Sequence, residues 1–352
     1  MNINFLRLYQ QQLTQHRFHS VGEVVAWLGA VQAQDYAGAK WALGLRLARS
    51  NAADIEQAIA SKAIVRSWLM RGTLQFVAAA DIHWMLGLVA ARIIAGAARR
   101  HQQLELDART LNRSNTLIAT ALRDGNSLDR KQLIALLQRE GISTQGQRAP
   151  HLLQYATLCR LVTQVGARSN QPIYMLFDDA LPPSPALSRD EALAKLALTY
   201  FNSRGPATLK DYTWWSGLAA ADARAGLAMA QSKLARDTYA GQEYWLSPIP
   251  IRRVKPRSDA HLLPPFDEYL IAYQDRGTAL PSENAWMIQL GNGLRPTIEL
   301  NGMIVGTWKR TINKAGLTVS TSFFRKLSAQ EDQIVAEAMT RYAAFMGLPL
   351  TG

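Results

Sequence analysis

The sequence predicts an α+β fold, mainly α, built as three tandem units of helices closed by a β-hairpin, with a C-terminal β-hairpin and helix region after them. Three observations predict it. Apolar residues recur at helical spacing through most of the first 230 positions. Alternating runs around Arg71-Gly72, around the Gly/Ser/Asn stretch of 162–177, and around Ala240-Gly241 close three successive groups of helices as hairpins. Finally, Asn301-Gly302 sits between RPTIEL and MIVGTWKR, and this dipeptide suits a type I′ turn.

The elements follow in order. Residues 4–15 place Phe5, Leu6, Tyr9 and Leu13 on one side of a helix. Ser20 with Glu23 has capping-box spacing and starts a second helix. A third runs to about Leu47, a short one covers Asp54 to Ala60, and IVRSWLM-RG-TLQFV (64–77) makes the first hairpin. The order then returns. Helices are expected over Thr116–Arg123, Asp129–Glu140 and Pro150–Leu161, with Gly141 as a stop and 162–177 as the second hairpin. After LPPSPALS (181–188), Ser188 and Glu191 cap a helix to Ser203, Thr208 begins another, and 219–231 gives a third. Residues 234–246 close that pass. The expected blocks are 1–112, 113–182, 183–250 and 251–352. Helix, helix, helix, hairpin is the order of a winged helix, a variant of the helix-turn-helix. The last block has a basic loop, IPIRRVKPR, the Asn301-Gly302 hairpin, and a closing helix begun by Ser328 and Glu331 and stopped by Gly347.

Composition narrows the function. Apolar residues make up 48% and charged residues only 19%, which describes a folded chain rather than a disordered one. The net charge of +12 is spread along the chain, with every third basic. That distribution suits a polyanion gripped by the whole protein, and equally a soluble basic protein. A single cysteine, Cys159, excludes an internal disulfide framework and a thiolate cluster; it is expected to pack as a small apolar residue in a reducing compartment. The first residues lack the apolar core of a signal peptide. The apolar stretch 85–98 carries Arg92 and is too short to span a bilayer, so no membrane partner is expected. A cytoplasmic, nucleoid-associated monomer is the expectation.

Conventional chemical motifs are absent. There is no P-loop and no dinucleotide fingerprint, and the six histidines have no metal-ligand spacing, so neither metal nor cofactor is expected. Asp267-Glu268 could form an acid/base pair, though such a pair at a helix start more often caps it or binds an Arg. The most unusual stretch is Gln32-Ala33-Gln34, set between two apolar helical patterns. On a helix, residues two apart point about 200° from each other; on an extended link they converge on one site. The plain alternative is a polar turn between helices. Arg46, Arg66, Arg71, Arg148, Arg168, Arg252, Arg253, Lys255, Lys309 and Arg310 lie on expected helix ends, hairpins or the basic loop. Together they are candidate phosphate contacts on double-stranded DNA, which would make binding salt-dependent. Trp27, Trp41, Trp68, Trp84, Trp214 and Trp215 sit among apolar residues and are expected in the core.

Four segments together carry a family resemblance. Gln32-Ala33-Gln34 after an apolar helix, RSWLMRGTLQ (66–75), LLPPFDEYLIAYQDR (262–276) and GTWKR (306–310) resemble the bacterial winged-helix DNA glycosylases of the AlkZ type, first known for unhooking interstrand crosslinks. The resemblance runs over nearly the whole chain in the same order. It implies three tandem winged helices around a DNA channel and monofunctional hydrolysis of the N-glycosidic bond of N7-alkylated purines, without a metal. It places the catalytic glutamine–apolar–glutamine motif on Gln32, Ala33 and Gln34. Relatives acting on simpler adducts carry Asp at the second polar position, so Gln34 points to the crosslink-type subgroup, with alkylated or crosslinked duplex DNA as the expected partner. Many members read GTLH where this chain has Gly72-Thr73-Leu74-Gln75, so Gln75 inherits a DNA-facing expectation. The Asn301-Gly302 hairpin with its trailing Lys309 and Arg310 is either an element that probes the duplex beside the lesion or an ordinary sheet hairpin. The rival reading is a non-catalytic winged-helix regulator, which usually dimerises on palindromic half-sites.

Overall fold

The computed structural model describes residues 2–168, 171–184, 186–248, 258–291 and 293–351. Arg252, Arg253 and Lys255 lie outside the described residues, as does the side chain of Arg168. The chain divides into two compact units, the first made of Met1–Ile55 with Leu193–Gly352 and the second of Glu56–Ala192. This grouping is coarser than the four sequence blocks, because the first block's opening helices and the last two blocks share one unit.

The chain begins with helices α1 (Ile3–Gln10) and α2 (Val21–Leu28), strand β1 (Val31–Gln32), α3 (Tyr36–Gly44) and α4 (Ala52–Ala60). The unit boundary falls within α4. Ser20 and Glu23 form the expected capping box, satisfying backbone donors at the start of α2. Helix α1 stops at Gln10, five residues short of expectation.

The second unit continues with β2 (Ile64–Trp68), β3 (Leu74–Ala78), α5 (Ile82–Gln103), α6 (Ala108–Ala121), β4 (Leu128–Asp129), α7 (Arg130–Arg139), α8 (Arg148–Leu158), β5 (Val162–Arg168), β6 (Gln171–Leu176) and α9 (Phe177–Ala180). Its strands lie in the order β3-β2-β5-β6-β4, all antiparallel. Leu111, Ile118, Leu133, Leu137, Leu152 and Leu153 come from the inward faces of α6, α7 and α8 and share one buried cluster with Tyr174. The apolar stretch of 85–98 proves to be part of α5, 22 residues long. By length and apolarity alone that helix could cross a membrane, so the expectation that the stretch is too short is corrected. Trp84, Met85, Leu86, Leu88 and Val89, in its first half, are buried in the protein interior. Cys159 is exposed rather than packed, because it lies just beyond the last turn of α8.

The remaining elements belong to the first unit apart from the start of α10 (Arg189–Arg204): α11 (Leu209–Ser216), α12 (Ala220–Ala230), β7 (Ala235–Tyr239), β8 (Gln242–Leu246), β9 (Ala260–Leu263), α13 (Glu268–Ile271), β10 (Gln289–Leu290), β11 (Gly293–Leu294), β12 (Thr297–Leu300), β13 (Met303–Asn313), β14 (Gly316–Phe323) and α14 (Ala329–Met346). A four-stranded antiparallel sheet has the order β14-β13-β12-β9. Asn301 (φ 52°) and Gly302 (φ 87°) make the β12–β13 turn, both left-handed as the sequence predicts. Against this sheet packs α14, whose Tyr342 ring lies 4.9 Å from both Trp41 and Trp308. The indole donors of those tryptophans reach the backbone carbonyls of Leu262 (2.6 Å) and Leu263 (2.9 Å). Buried Trp41, Trp84 and Trp215 meet the core expectation, whereas Trp214 is 44% exposed.

Candidate functional site

The two glutamines lie where the backbone leaves one helix and enters another. Helix α2 ends at Gly29, whose left-handed φ of 74° turns the chain out of the helix. Extended backbone follows through Val31 and Gln32, and Asp35 then caps α3 by accepting from the Gly38 amide at 2.9 Å. Gln32 is thus carried by the short extended segment and Gln34 by the bend that leads into α3. Gln32 is 8% exposed and Gln34 is open to solvent. A carboxamide both donates and accepts, and it does not titrate in the useful range.

Behind the link lies a buried ion pair. Arg204, the last residue of α10, and Glu268, the first of α13, are both 0% exposed in their side chains and meet at 2.6 Å. Arg204 Nη1 donates to the Leu28 carbonyl (2.6 Å) and Nη2 to that of Ala30 (2.7 Å). Glu268 Oε1 accepts from the Gln32 amide (3.0 Å), while Oε2 accepts from Arg204 and from Trp215 Nε1 (3.1 Å). The guanidinium lies 4.4 Å from the Trp215 ring centre, a cation–π contact.

The neighbouring carboxylate has its own cation. Asp267 takes both Nη atoms of Arg46 at 2.9 Å and also caps α13 through the Tyr269 amide (2.9 Å). Asp267 and Glu268 therefore bind arginines, and Asp267 also caps a helix; both are sealed from solvent. The same geometry corrects Arg46. Its side chain is 0% exposed and further tied to Gln11 Oε1 (3.0 Å), so it cannot meet a phosphate.

Other expected contacts sort by exposure. Gln75 is 1% exposed, and its Nε2 donates to Thr73 Oγ1 at 2.7 Å, which corrects its DNA-facing assignment. Arg148 is turned onto the backbone carbonyls of Leu104 and Ser143, the latter at 2.8 Å, and so ties loops together instead of reaching outward. Arg66 is half-buried and donates to Gln164 Oε1 across the sheet at 3.1 Å. Arg71 is half-buried in the β2–β3 connection with a φ of 57°. Lys309 and Arg310 are exposed on β13, and Arg310 donates to the Tyr342 hydroxyl.

Sequence reasoning missed Arg204 and Glu268 as partners of the link. An arginine in a helix's last turn is ordinarily a surface cation facing the dipole, and nothing local reveals that it turns inward. It also missed exposed cations on α5, α6 and α7, among them Arg92, Arg99, Arg109, Arg113 and Lys131. Among the described residues no group of three His, Cys, Asp or Glu could hold a metal. A cavity of about 320 Å³ in the first unit is lined by Leu13, His16, Trp41, Arg49, His261 and Arg341 among others, and neither glutamine borders it.

Comparison with known proteins gives two results. A family model described as "DNA glycosylase AlkZ-like" matches residues 25–345. Among solved structures, Streptomyces sahachiroi DNA glycosylase AlkZ is similar with a TM-score of 0.80 and 21% identity, covering 99% of this chain and 98% of that one. No curated protein matches.

Proposed function

Because the chain belongs to the AlkZ-like DNA glycosylase family, we propose that it repairs duplex DNA by hydrolysing the N-glycosidic bond of N7-alkylated purines, crosslinked ones included, with Gln32 and Gln34 orienting the water. The observation that carries this reading is the glutamine pair itself, on the short strand-and-bend link between helices rather than on a helix face.

The chemistry asks little of a base. An N7-alkylguanine is cationic, so when the C1′–N9 bond breaks its electron pair neutralises the departing base. The water oxygen bonds to C1′ and its proton passes to solvent. Two carboxamides that hold that water supply position rather than proton affinity, and positioning alone lowers such barriers by several kcal/mol, about 7–11 at best. With water as the nucleophile the product is an abasic site, and no covalent enzyme intermediate forms. That is monofunctional chemistry.

The fold around the link supports three tandem winged helices. The first two passes show helix, short strand, two helices and a hairpin, and in the third a single bridging residue takes the strand's place. In the second pass β4 pairs with β6, and in the third Ala207 bridges to Trp245 of β8. Exposed Lys309 and Arg310, with partly exposed Arg66 and Arg71, are the proposed phosphate contacts from the sequence set, and the protein is taken to work as a cytoplasmic monomer on the nucleoid.

The test is incubation with duplex carrying one N7-methylguanine, or a nitrogen-mustard crosslink, followed by alkaline cleavage of abasic sites. The wild-type chain is expected to yield strand breaks at the lesion. Gln32→Ala and Gln34→Ala should each slow single-turnover release by about tenfold or more with duplex affinity near wild type. Wild-type rates in both variants would remove the pair from the mechanism.

A further inference from the structure

Three backbone groups at and beyond the end of α2 face one buried ion pair: the carbonyl of Leu28, which closes the helix, and that of Ala30, held by Arg204 at 2.6 and 2.7 Å, and the amide of Gln32, held by Glu268 at 3.0 Å. Ala30 and Gln32, the two beyond the helix, are alternate residues. In extended chain, alternate residues turn their N–H and C=O groups to the same edge, and side chains stand roughly perpendicular to it. Holding that edge fixes the direction in which Gln32 projects and the point from which the chain runs on to Gln34. A neighbouring strand usually does this. On this edge a guanidinium provides the donors and a carboxylate the acceptor.

We propose that Arg204 and Glu268 are positioning residues for the Gln32-Ala33-Gln34 link, an ion pair standing in for a strand and setting the aim of the two carboxamides. The inference rests on the reading of those glutamines as the water-orienting pair. Neither charged group touches DNA or water itself, since both side chains are completely buried.

The division of labour at Glu268 argues for positioning over mere adhesion. Its Oε2 is taken by Arg204 Nε (3.0 Å), Arg204 Nη2 (2.6 Å) and Trp215 Nε1 (3.1 Å), while Oε1 reaches the Gln32 amide. Apolar residues of equal volume often serve stability as well as a buried ion pair does. They cannot, however, satisfy two carbonyls and an amide. The aim matters because an ångström of misplacement at a reacting centre costs about a hundredfold in rate.

The experiment is a double-mutant cycle read by single-turnover release of N7-methylguanine. Glu268→Gln keeps shape and removes the charge that holds Arg204. It is expected to slow release about tenfold or more while affinity for unmodified duplex stays within about twofold. In the Gln32→Ala/Gln34→Ala background the same change should add less than about twofold, because the groups it aims are gone. Multiplying losses, or a wild-type rate in Glu268→Gln, would overturn the positioning role. Should Glu268→Gln not fold, Trp215→Phe takes its place; it removes the indole donor and keeps a ring under the guanidinium. An intermediate rate with unchanged duplex affinity is expected there, and an unchanged rate counts against the proposal. A wild-type rate in the doubly substituted glutamine background would instead defeat the glutamine reading itself, and this inference with it.

Discussion

Arg46 and Arg204 are completely buried, and each is matched to one carboxylate, so the cost of removing either partner is set by what remains. Asp267→Ala strands the Arg46 guanidinium in the interior and is expected to cost about 3–5 kcal/mol in urea unfolding. Arg46→Met with Asp267→Leu, which removes both charges, should cost much less. Equal losses in the two variants would show that the charges are not what the site depends on. His261 makes a second residue-level case. Burial opposes its charge, but the Glu299 carboxylate at 2.5 Å and that of Asp259 outweigh burial and hold the imidazole above its usual pKa of 6.5. A folded pKa raised above the unfolded one stabilises fully below about pH 6.5, and that share is lost as pH rises through the folded value. Wild-type protein should therefore lead His261→Asn in melting temperature by more at pH 6 than at pH 9. A constant lead across that range would contradict the shift. These pairings explain why the burial of Arg46 was not legible in the sequence. Arg46 follows a helix in the sequence, as surface arginines do, and its partner lies 221 residues away.

At the scale of elements, several local signals within four residues were readable. The capping boxes of Ser20/Glu23 and Ser328/Glu331 stand as the spacing predicts, as does the Asn301-Gly302 turn. Helix α6 was not, beginning at Ala108 rather than Thr116 because its inward face includes Leu111, whose partners in the cluster come from α7 and α8. The β12–β13 hairpin is testable in two ways. An added Cβ at Gly302 meets Asn4 Cβ at 2.7 Å on a backbone with φ of 87°, so Gly302→Ala is expected to destabilise by about 1–3 kcal/mol. Further along β13, Lys309 and Arg310 face solvent. If both meet phosphates, replacing them together by alanine lowers the dependence of log affinity on log salt by about 2. An unaltered slope would take them off the duplex.

At the scale of the molecule, the second unit is one continuous segment, whereas the first joins the chain's opening 55 residues to everything from Leu193 onward. A fragment spanning 50–192, which keeps α4 whole, is expected to unfold in a single cooperative transition by circular dichroism, since its helical cluster is complete within itself. A broad, featureless melt would mean that the segment is not a folding unit. Nothing in the hydropathy pattern announces this arrangement, because apolar periodicity says which face is covered and not which distant segment covers it.

The interleaving also has a consequence for biosynthesis. At about 5–20 residues per second, the ribosome needs on the order of ten to forty seconds to travel from Arg46 to the carboxylate that will neutralise it. Throughout that interval the greasy sides of the earliest helices have no permanent cover, while the middle of the nascent chain can already close on itself. The amino-terminal segment must wait, and chaperones that shield emerging polypeptides have their longest engagement there.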